Sequence, residues 1–338
     1  MNNVTKTIVA VDAMGGDFAP VEQVSGAVLA VNENNNIIVK LFGDENIVKN
    51  ELSKYTFDTN RIEVIHCESV IETCEQPVKA IKAKKDSSMV KGLYAVKNGE
   101  ADAFVSCGST GALLVGGQVI IGRIKGIERP ALSFIVPSLK GPALIIDCGA
   151  NVDARAEMLI QFAQMGSIYM ENVLKINNPR VGLINIGEEE EKGNSLTKET
   201  YPQLKACNGI NFVGNVESRG ITEGEVDVAV CDAFVGNVVL KMYEGVAGSL
   251  IKKLKGAMMG SFKTKMGALL IKKDLKAMLK EFSIEEYGGA PFLGLNNLVV
   301  KPHGSSKAIE IKNAILQCVA FKEADIASKI ALNIGNKE

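Results

Sequence analysis

The groups able to do chemistry in this 338-residue chain sit where apolar, β-branched stretches stop. Ile8-Val9-Ala10-Val11 runs into Asp12-Ala13-Met14-Gly15-Gly16-Asp17, and Ala103-Phe104-Val105 into Ser106-Cys107-Gly108-Ser109-Thr110-Gly111-Ala112. Leu144-Ile145-Ile146 runs into Asp147-Cys148-Gly149-Ala150-Asn151-Val152-Asp153. Val181-Gly182-Leu183-Ile184 leads to Asn185-Ile186-Gly187-Glu188, and Val226-Asp227-Val228-Ala229-Val230 to Cys231-Asp232-Ala233-Phe234-Val235-Gly236-Asn237. Glycine lets backbone N–H groups approach an anion closely, and a helix N-terminus favours negative charge. In open α/β sheets ligands sit beyond the carboxyl ends of the strands. The five ends read as one anion site assembled from several loops.

Gly108-Ser109-Thr110-Gly111-Ala112 has the chemistry of an anion cradle, with two hydroxyls and exposed amides. It fits an ordinary tight turn with a capping serine equally well. Asp147 to Asp153 adds polar groups such as Asn151, and Asp153 is expected to cap the helix that follows. Gly187 to Asn194 is an acidic loop with one embedded lysine, Lys192. A charge run is usually solvated surface. This one follows a strand directly, where Lys192 can neutralise phosphate oxygens or a developing oxyanion. Asn237 either donates a hydrogen bond to the same centre or caps its helix. His303-Gly304-Ser305-Ser306 again puts glycine and hydroxyls at a helix start, although a lone histidine is more often structural than catalytic.

Other chemistries lack their signatures. There is no G-x-G-x-x-G, no Walker A pattern and no H-E-x-x-H. Two histidines are too few for a histidine-rich metal centre. The seven cysteines include no C-x-x-C and are expected to be reduced thiols. Cys107, Cys148 and Cys231 lie at strand ends, but no histidine is near them in sequence to activate a thiolate, so they read as small buried hydrophobes. The net charge of −1 gives no global attraction to nucleic acid, and the absence of tryptophan weakens a base-stacking role.

The elements that must hold these loops follow from periodicity. Short apolar runs alternate with helical patterns, which gives an α/β class with a mostly parallel sheet. Further strands are expected at 37–42 and 62–66. Helices are expected at 20–31, 76–84, 89–98, 111–124, 154–173 and 196–206, with mainly helical structure from 306 to 334. With 46% hydrophobic and 23% charged residues, one α/β domain over residues 1–338 is the expectation. Met1 to Thr7 carries no signal-peptide pattern, and the longest nearly uncharged stretch, 111–122, is shorter than the roughly 20 residues of a spanning helix. A cytoplasmic protein is expected, with membrane contact only at its surface.

Residues 241–282 stand apart as a helical arm broken near 256–261. Nine lysines and one acidic residue, Asp274, lie between Lys252 and Lys280. Lys252, Lys253 and Lys255 beside Leu254 and Met258 suit an acidic protein or an anionic membrane. A stripe packed on a second subunit fits the same residues.

Val11-Asp12-Ala13-Met14-Gly15-Gly16-Asp17 resembles the opening signature of the PlsX family, the acyl-carrier-protein:phosphate acyltransferases of bacterial phospholipid synthesis. The stretches Gly122 to Ala131 and Asp147 to Asp153, with Lys192-Gly193-Asn194, Tyr287-Gly288-Gly289-Ala290 and His303-Gly304-Ser305-Ser306, resemble it too, so the likeness spans about residues 8–320. The resemblance implies a homodimer with a Rossmann-like α/β/α fold similar to phosphotransacetylases and the isocitrate dehydrogenase group. It implies formation of acyl phosphate from acyl-acyl carrier protein and inorganic phosphate, without cofactor or metal, for a membrane acyltransferase that acylates glycerol 3-phosphate. The family's implicated lysine and asparagine fall on Lys192 and Asn237. Asp12, Gly15, Gly16, Gly108, Ser109, Thr110, Gly111, Asn151, Asn194, His303, Gly304 and Ser305 are the expected phosphate and substrate contacts. Two departures occur: Ser109 stands where the family usually has asparagine, and Val235 where it often has threonine. Alternatives are a short-chain phosphotransacetylase using coenzyme A, a metal-dependent dehydrogenase on the same scaffold, and a non-catalytic membrane scaffold for lipid-synthesis enzymes.

Overall fold

The computed structural model describes residues 6–281 and 287–334. All five apolar stretches are strands. In chain order the strands are β1 (Thr7–Asp12), β2 (Ile37–Gly43), β3 (Ile62–His66), β4 (Ala103–Val105), β5 (Ala131–Ser138), β6 (Gly141–Ile146), β7 (Arg180–Ile184), β8 (Asn211–Val216), β9 (Val228–Val230), β10 (Ala290–Leu293) and β11 (Leu298–Lys301). They form one 11-stranded sheet in the order β3-β2-β1-β4-β11-β10-β5-β6-β9-β7-β8. Strands β5, β8, β10 and β11 are additional to those the sequence pattern indicates.

Parallel pairing builds two halves, β3-β2-β1-β4-β11 and β6-β9-β7-β8. Between them the pairs β11–β10, β10–β5 and β5–β6 are antiparallel. Three reversals leave the halves running in opposite senses. The register then aligns their ends. Val11 pairs with Val105, Val105 with Val300, and Val300 with Pro291. Ser133 donates its hydroxyl to the Pro291 carbonyl at 3.0 Å and pairs with Ile146, which pairs with Val230. One row across the sheet thus carries the carboxyl ends of β1, β4 and β11 from one side and of β6 and β9 from the other.

Alternation along the strands divides the core between two faces. On one face α1 (Val21–Glu33) and α2 (Glu45–Leu52) cover the first half through Val24, Ala27, Val31 and Leu52. The other face of that half is covered by α3 (Pro77–Ala83), α4 (Ser88–Lys97) and α5 (Thr110–Gly116), where Ile81, Leu93 and Leu113 meet Phe104 and Phe292. The second half packs Phe162 and Met165 of α6 (Ala156–Asn172) and Leu204 of α7 (Ser195–Ala206) on one face. Ile221 of α8 (Ser218–Glu223) and Leu240 of α9 (Ala233–Met259) pack on the other. The hairpin partner of α9 is α10 (Phe262–Glu281), and α11 (Ala308–Ala324) and α12 (Ile326–Ile334) close the first face.

Two boundaries differ from expectation. The helix expected at 111–124 is α5 followed by one π-helical turn at Gly117–Ile121, and it stops at Gly122, whose φ of 87° suits glycine. Asp153 does not cap α6; Arg155 occupies the N-cap position without a side-chain bond. The break in the arm falls at Gly260-Ser261, within the expected 256–261; Phe282, its expected last residue, lies outside the described residues, as do Met1 to Thr5 of the N-terminal segment.

Arg180 at the start of β7 clamps Asp227 before β9 with Nε and Nη2 at 3.0 and 2.9 Å. Burial alone would raise the Asp227 carboxyl, but these bonds outweigh it and hold the carboxyl below its usual range. A lowered folded-state pKa contributes stability above the unfolded value and loses it as pH falls. Asp227→Asn is expected to lower unfolding free energy at neutral pH by about 1 kcal/mol, discounted for the partly exposed guanidinium. In urea titrations the difference from wild type should fade below about pH 4.

Candidate active site

A cavity of about 400 Å³ opens on the seam between the halves. Leu132 and Phe134 of β5 and Ala290 of β10 form its floor. The first half supplies Cys107 to Thr110 and Lys301 to Gly304; the second supplies Cys148, Gly149 and one flank of α9.

The β1 and β4 loops are locked together behind this wall. Asp12 is buried and accepts hydrogen bonds from the Ser106 hydroxyl at 2.7 Å and the Met14 amide at 3.2 Å. Burial pushes its carboxyl up, and the hydrogen bonds pull the other way. Gly15 is obligatory here: a Cβ would stand 2.4 Å from Asp12 Oδ2 and 2.9 Å from the Gly108 nitrogen. Gly16, at φ 105°, would press a Cβ on Cys107. Asp12, Gly15 and Gly16 therefore shape the loop that presents Gly108 and are not themselves cavity lining. Ser109 caps α5, its hydroxyl accepting from the Ala112 amide at 3.4 Å. The capping role of the G-S-T-G-A turn is thus realised, at a helix N-terminus that faces the cavity through Ser109 and Thr110. Gly111 lies just behind, where a Cβ would meet Pro77.

On the opposite wall a second buried carboxylate performs the same task. Asp147 Oδ1 accepts from the amides of Gly149 and Ala150, each at 3.0 Å, and Oδ2 accepts from the Asn151 amide at 2.9 Å. Asn151 spends its side-chain donors on Asp147 and on the Pro130 carbonyl, so it holds the loop. The α9 helix starts against that loop. Asp232 is its N-cap and accepts from the Val235 amide at 2.9 Å, so Asn237 does not cap the helix. Asn237 sits one turn in, lines the cavity and donates to the Cys148 carbonyl at 3.1 Å.

The cations in the cavity wall are not those the motifs singled out. Lys301, at the end of β11, is 8% exposed and donates to the carbonyls of Pro302 and Cys107 at 2.5 and 3.4 Å. Lys241, one turn beyond Asn237, reaches Glu244 at 2.8 Å and His303 Nε2 at 3.0 Å. That last contact joins the two halves across the cavity. His303 is held below the ordinary imidazole range by burial and by Lys241, which favours a neutral ring accepting at Nε2. Its Nδ1 faces the Ser305 hydroxyl at 2.8 Å and the Ser305 amide at 3.3 Å. Gly304 lines the cavity and accepts the Asp17 amide at 2.8 Å. Sequence reasoning passed over both lysines. The available signal was a charged residue closing the apolar run Leu298-Val299-Val300.

Lys192 lies elsewhere on the same edge of the sheet. Its side chain is exposed, on a loop fixed by Asn185, which donates to the Lys192 carbonyl at 3.1 Å, and by Asn215, which donates to Glu189 at 2.8 Å. Asn194 caps α7 through the Thr197 amide at 3.0 Å. Neither Lys192 nor Asn194 is among the residues lining the cavity with Asn237. Burial raises the Cys107 thiol to about 12 and raises Cys148 and Cys231 as well, so none offers a thiolate at neutral pH.

A second cavity, of about 900 Å³, follows the other flank of α9 along Val238, Met242 and Val246, against Val136 and Ile221. Beyond it the arm carries Lys252, Lys253, Leu254 and Lys255 exposed, with Met258 half-buried. Among the described residues no helix is long and apolar enough to cross a membrane.

Gly236 fixes how closely α9 meets the Asp147 loop, since a Cβ there would stand 1.9 Å from the Asp147 carbonyl oxygen. Gly236→Ala is expected to displace the first turn of α9 and cost about 1–3 kcal/mol. A denaturation curve would register that loss, and a crystal structure would show Asn237 moved off the cavity wall.

Comparison with known proteins agrees with this architecture. Residues 7–329 match the family described as "Fatty acid synthesis protein". A phosphate acyltransferase of Clostridium botulinum (strain Loch Maree / Type A3) is 51% identical over 329 residues, 97% of this chain and 98% of that protein. A phosphate acyltransferase of Clostridium novyi (strain NT) is 50% identical over 97% of this chain and 99% of its own. Among solved structures, a phosphotransacetylase from Streptococcus pyogenes superposes with a TM-score of 0.61 at 17% identity, covering 94% of each chain, a likeness of fold. The chain belongs to the fatty acid synthesis protein family, the PlsX family of phosphate acyltransferases whose motifs it carries.

Proposed function

We propose that this protein is a phosphate acyltransferase that forms acyl phosphate from acyl-acyl carrier protein and inorganic phosphate for phospholipid synthesis. The observation that carries the reading is the seam cavity, where the N-terminus of α5, the amide of Asn237 and cationic side chains face one space. A phosphate oxygen attacks the thioester carbonyl carbon. The tetrahedral intermediate collapses with cleavage of the carbon–sulfur bond, and the carrier thiolate leaves and takes a proton. Phosphate is already anionic at neutral pH and the thioester is already activated, so the reaction calls for no covalent enzyme intermediate. Holding both reactants together supplies on the order of 7–11 kcal/mol.

In this reading Ser109, Thr110 and the amides near Gly108 and Gly111 receive the phosphate, with Gly304 and Ser305 on the facing loop. Asn237 donates to the developing oxyanion, and Lys192 adds positive charge from the neighbouring loop. Asp12, Gly15, Gly16, Asn151 and Asn194 keep these loops in place. The apolar cavity along Val238, Met242 and Val246 offers the acyl chain a surface on the helix that carries Asn237. The whole chain acts as one catalytic unit, working as a homodimer. Its lysine-rich arm serves the acidic carrier protein or an anionic membrane surface, where a glycerol 3-phosphate acyltransferase would take the product.

Incubating the pure protein with palmitoyl-acyl carrier protein and radiolabelled phosphate should yield labelled acyl phosphate. Acetyl-coenzyme A in place of the palmitoyl carrier protein tests the short-chain phosphotransacetylase alternative. Absence of labelled product with either donor would leave the dehydrogenase and scaffold alternatives, which a test for nicotinamide dependence separates. Asn237→Ala should lower kcat by about 10²- to 10³-fold, the usual effect of removing one oxyanion donor. Lys192→Ala should also slow turnover strongly in a protein that melts like wild type. The triple change Lys252→Glu, Lys253→Glu and Lys255→Glu should weaken flotation with anionic vesicles, or carrier-protein binding, most at low salt. Unchanged binding would assign that stripe to subunit packing.

A further inference from the structure

We infer that Lys301 and Lys241, one from each half of the sheet, form the clamp for a tetrahedral oxyanion in the seam cavity. The inference rests on the reading that this cavity is where inorganic phosphate reacts. Lys301 is nine-tenths buried, and removing an ammonium from water costs several kcal/mol per ion unless something compensates. Its described contacts are two backbone carbonyls, Pro302 and Cys107. An ammonium carries three donors, so one remains for a ligand in the cavity that Lys301 lines. Lys241 comes from the other wall. Glu244 and His303 take two of its donors, and the third is likewise free for the same space.

The two ammonium groups work against each other in the empty cavity. Burial first, and then the charge of Lys241, hold Lys301 below the ordinary lysine range. Cys107, Asp17 and Asp12 act on Lys301 in the opposite sense without outweighing burial, and Glu244 neutralises part of Lys241. An oxyanion between the lysines would relieve the repulsion and accept a charge-assisted hydrogen bond from each. Because one donor belongs to β11 and the other to α9, the bound anion would tie the two halves together at the point where Lys241 already meets His303. Lys192, exposed on its separate loop, would then act on the acyl donor or the transition state more than on phosphate in the ground state.

Isothermal titration of the full protein with inorganic phosphate at constant ionic strength reads this site without catalysis. Lys241→Gln and Lys301→Gln should each weaken phosphate about 10- to 100-fold, the worth of one charge-assisted bond. In steady-state assays the same variants should raise KM for phosphate more than KM for palmitoyl-acyl carrier protein. Lys301→Arg should restore part of the affinity. Circular dichroism melts decide whether the buried variant folds; if it does not, Lys241→Gln, whose side chain is half exposed, carries the test alone. Phosphate affinity unchanged in folded Lys241→Gln and Lys301→Gln, or lost in Lys192→Ala instead, would overturn the clamp. Wild-type acyl phosphate formation with unaltered phosphate KM in both variants would sink the clamp and leave the acyltransferase reading standing. Phosphate binding that needs both lysines, in a protein forming no acyl phosphate, would do the reverse.

Discussion

The register at the seam governs where every functional group ends up. Two parallel half-sheets of opposite sense normally send their carboxyl ends, and hence their ligand loops, to opposite edges of a structure. Here β10 and β5 stagger the halves until both sets of ends fall on one row. A slip of one residue in β5 would turn Ser133 and Ile135 toward the cavity in place of Leu132 and Phe134. It would also carry the Asp147 loop away from the Leu132 amide that donates to Asp147 at 3.2 Å. The site exists because an antiparallel hinge of two strands keeps this alignment.

Two interior carboxylates then convert that alignment into shape. Asp12 and Asp147 each lie at the end of a central strand, nearly sealed from water; Asp12 divides its oxygens between its own loop and Ser106 after β4, and Asp147 binds three amides of the loop that follows it. Such groups are expensive to bury and are retained only when hydrogen-bonded. Their return is rigidity: Gly108 and Gly149, their amides held by Ser106 and Asp147, line a common space at fixed positions. The glycines beside them permit the close approach, which is why the loops look catalytic in sequence although several of their side chains serve as supports.

Much of this was legible from residue order. The five apolar stops are all strand ends, and the long lysine-rich stretch is a helical hairpin. The strands at the seam were harder to read. β5 is buried along most of its length and carries Pro137, so it shows no clean alternation, and β10 and β11 are only four residues each. Missing the seam meant missing Lys301, which looks like a solvated lysine until β11 is placed beside β4. Asn151 and Asn194 read two ways in sequence. Their amides suit a ligand, but a loop asparagine serves its own turn or helix cap just as well, and in the structure Asn151 bonds Asp147 while Asn194 caps α7. Lys241 stands apart from the lysine run that begins at Lys252 and belongs to no recognised motif.

The first half of the sheet is assembled from both ends of the chain, since β11 and α11 join β1, β2 and β4 only after residues 131–230 have built the second half. During synthesis the free edge of β4 and the bare flank of α1 must wait for roughly the last tenth of the polypeptide to leave the ribosome. The portion translated first is therefore completed last, and until then its unpaired edge and uncovered apolar surface are the places where a nascent chain would recruit a chaperone or pair with a neighbour on the same message.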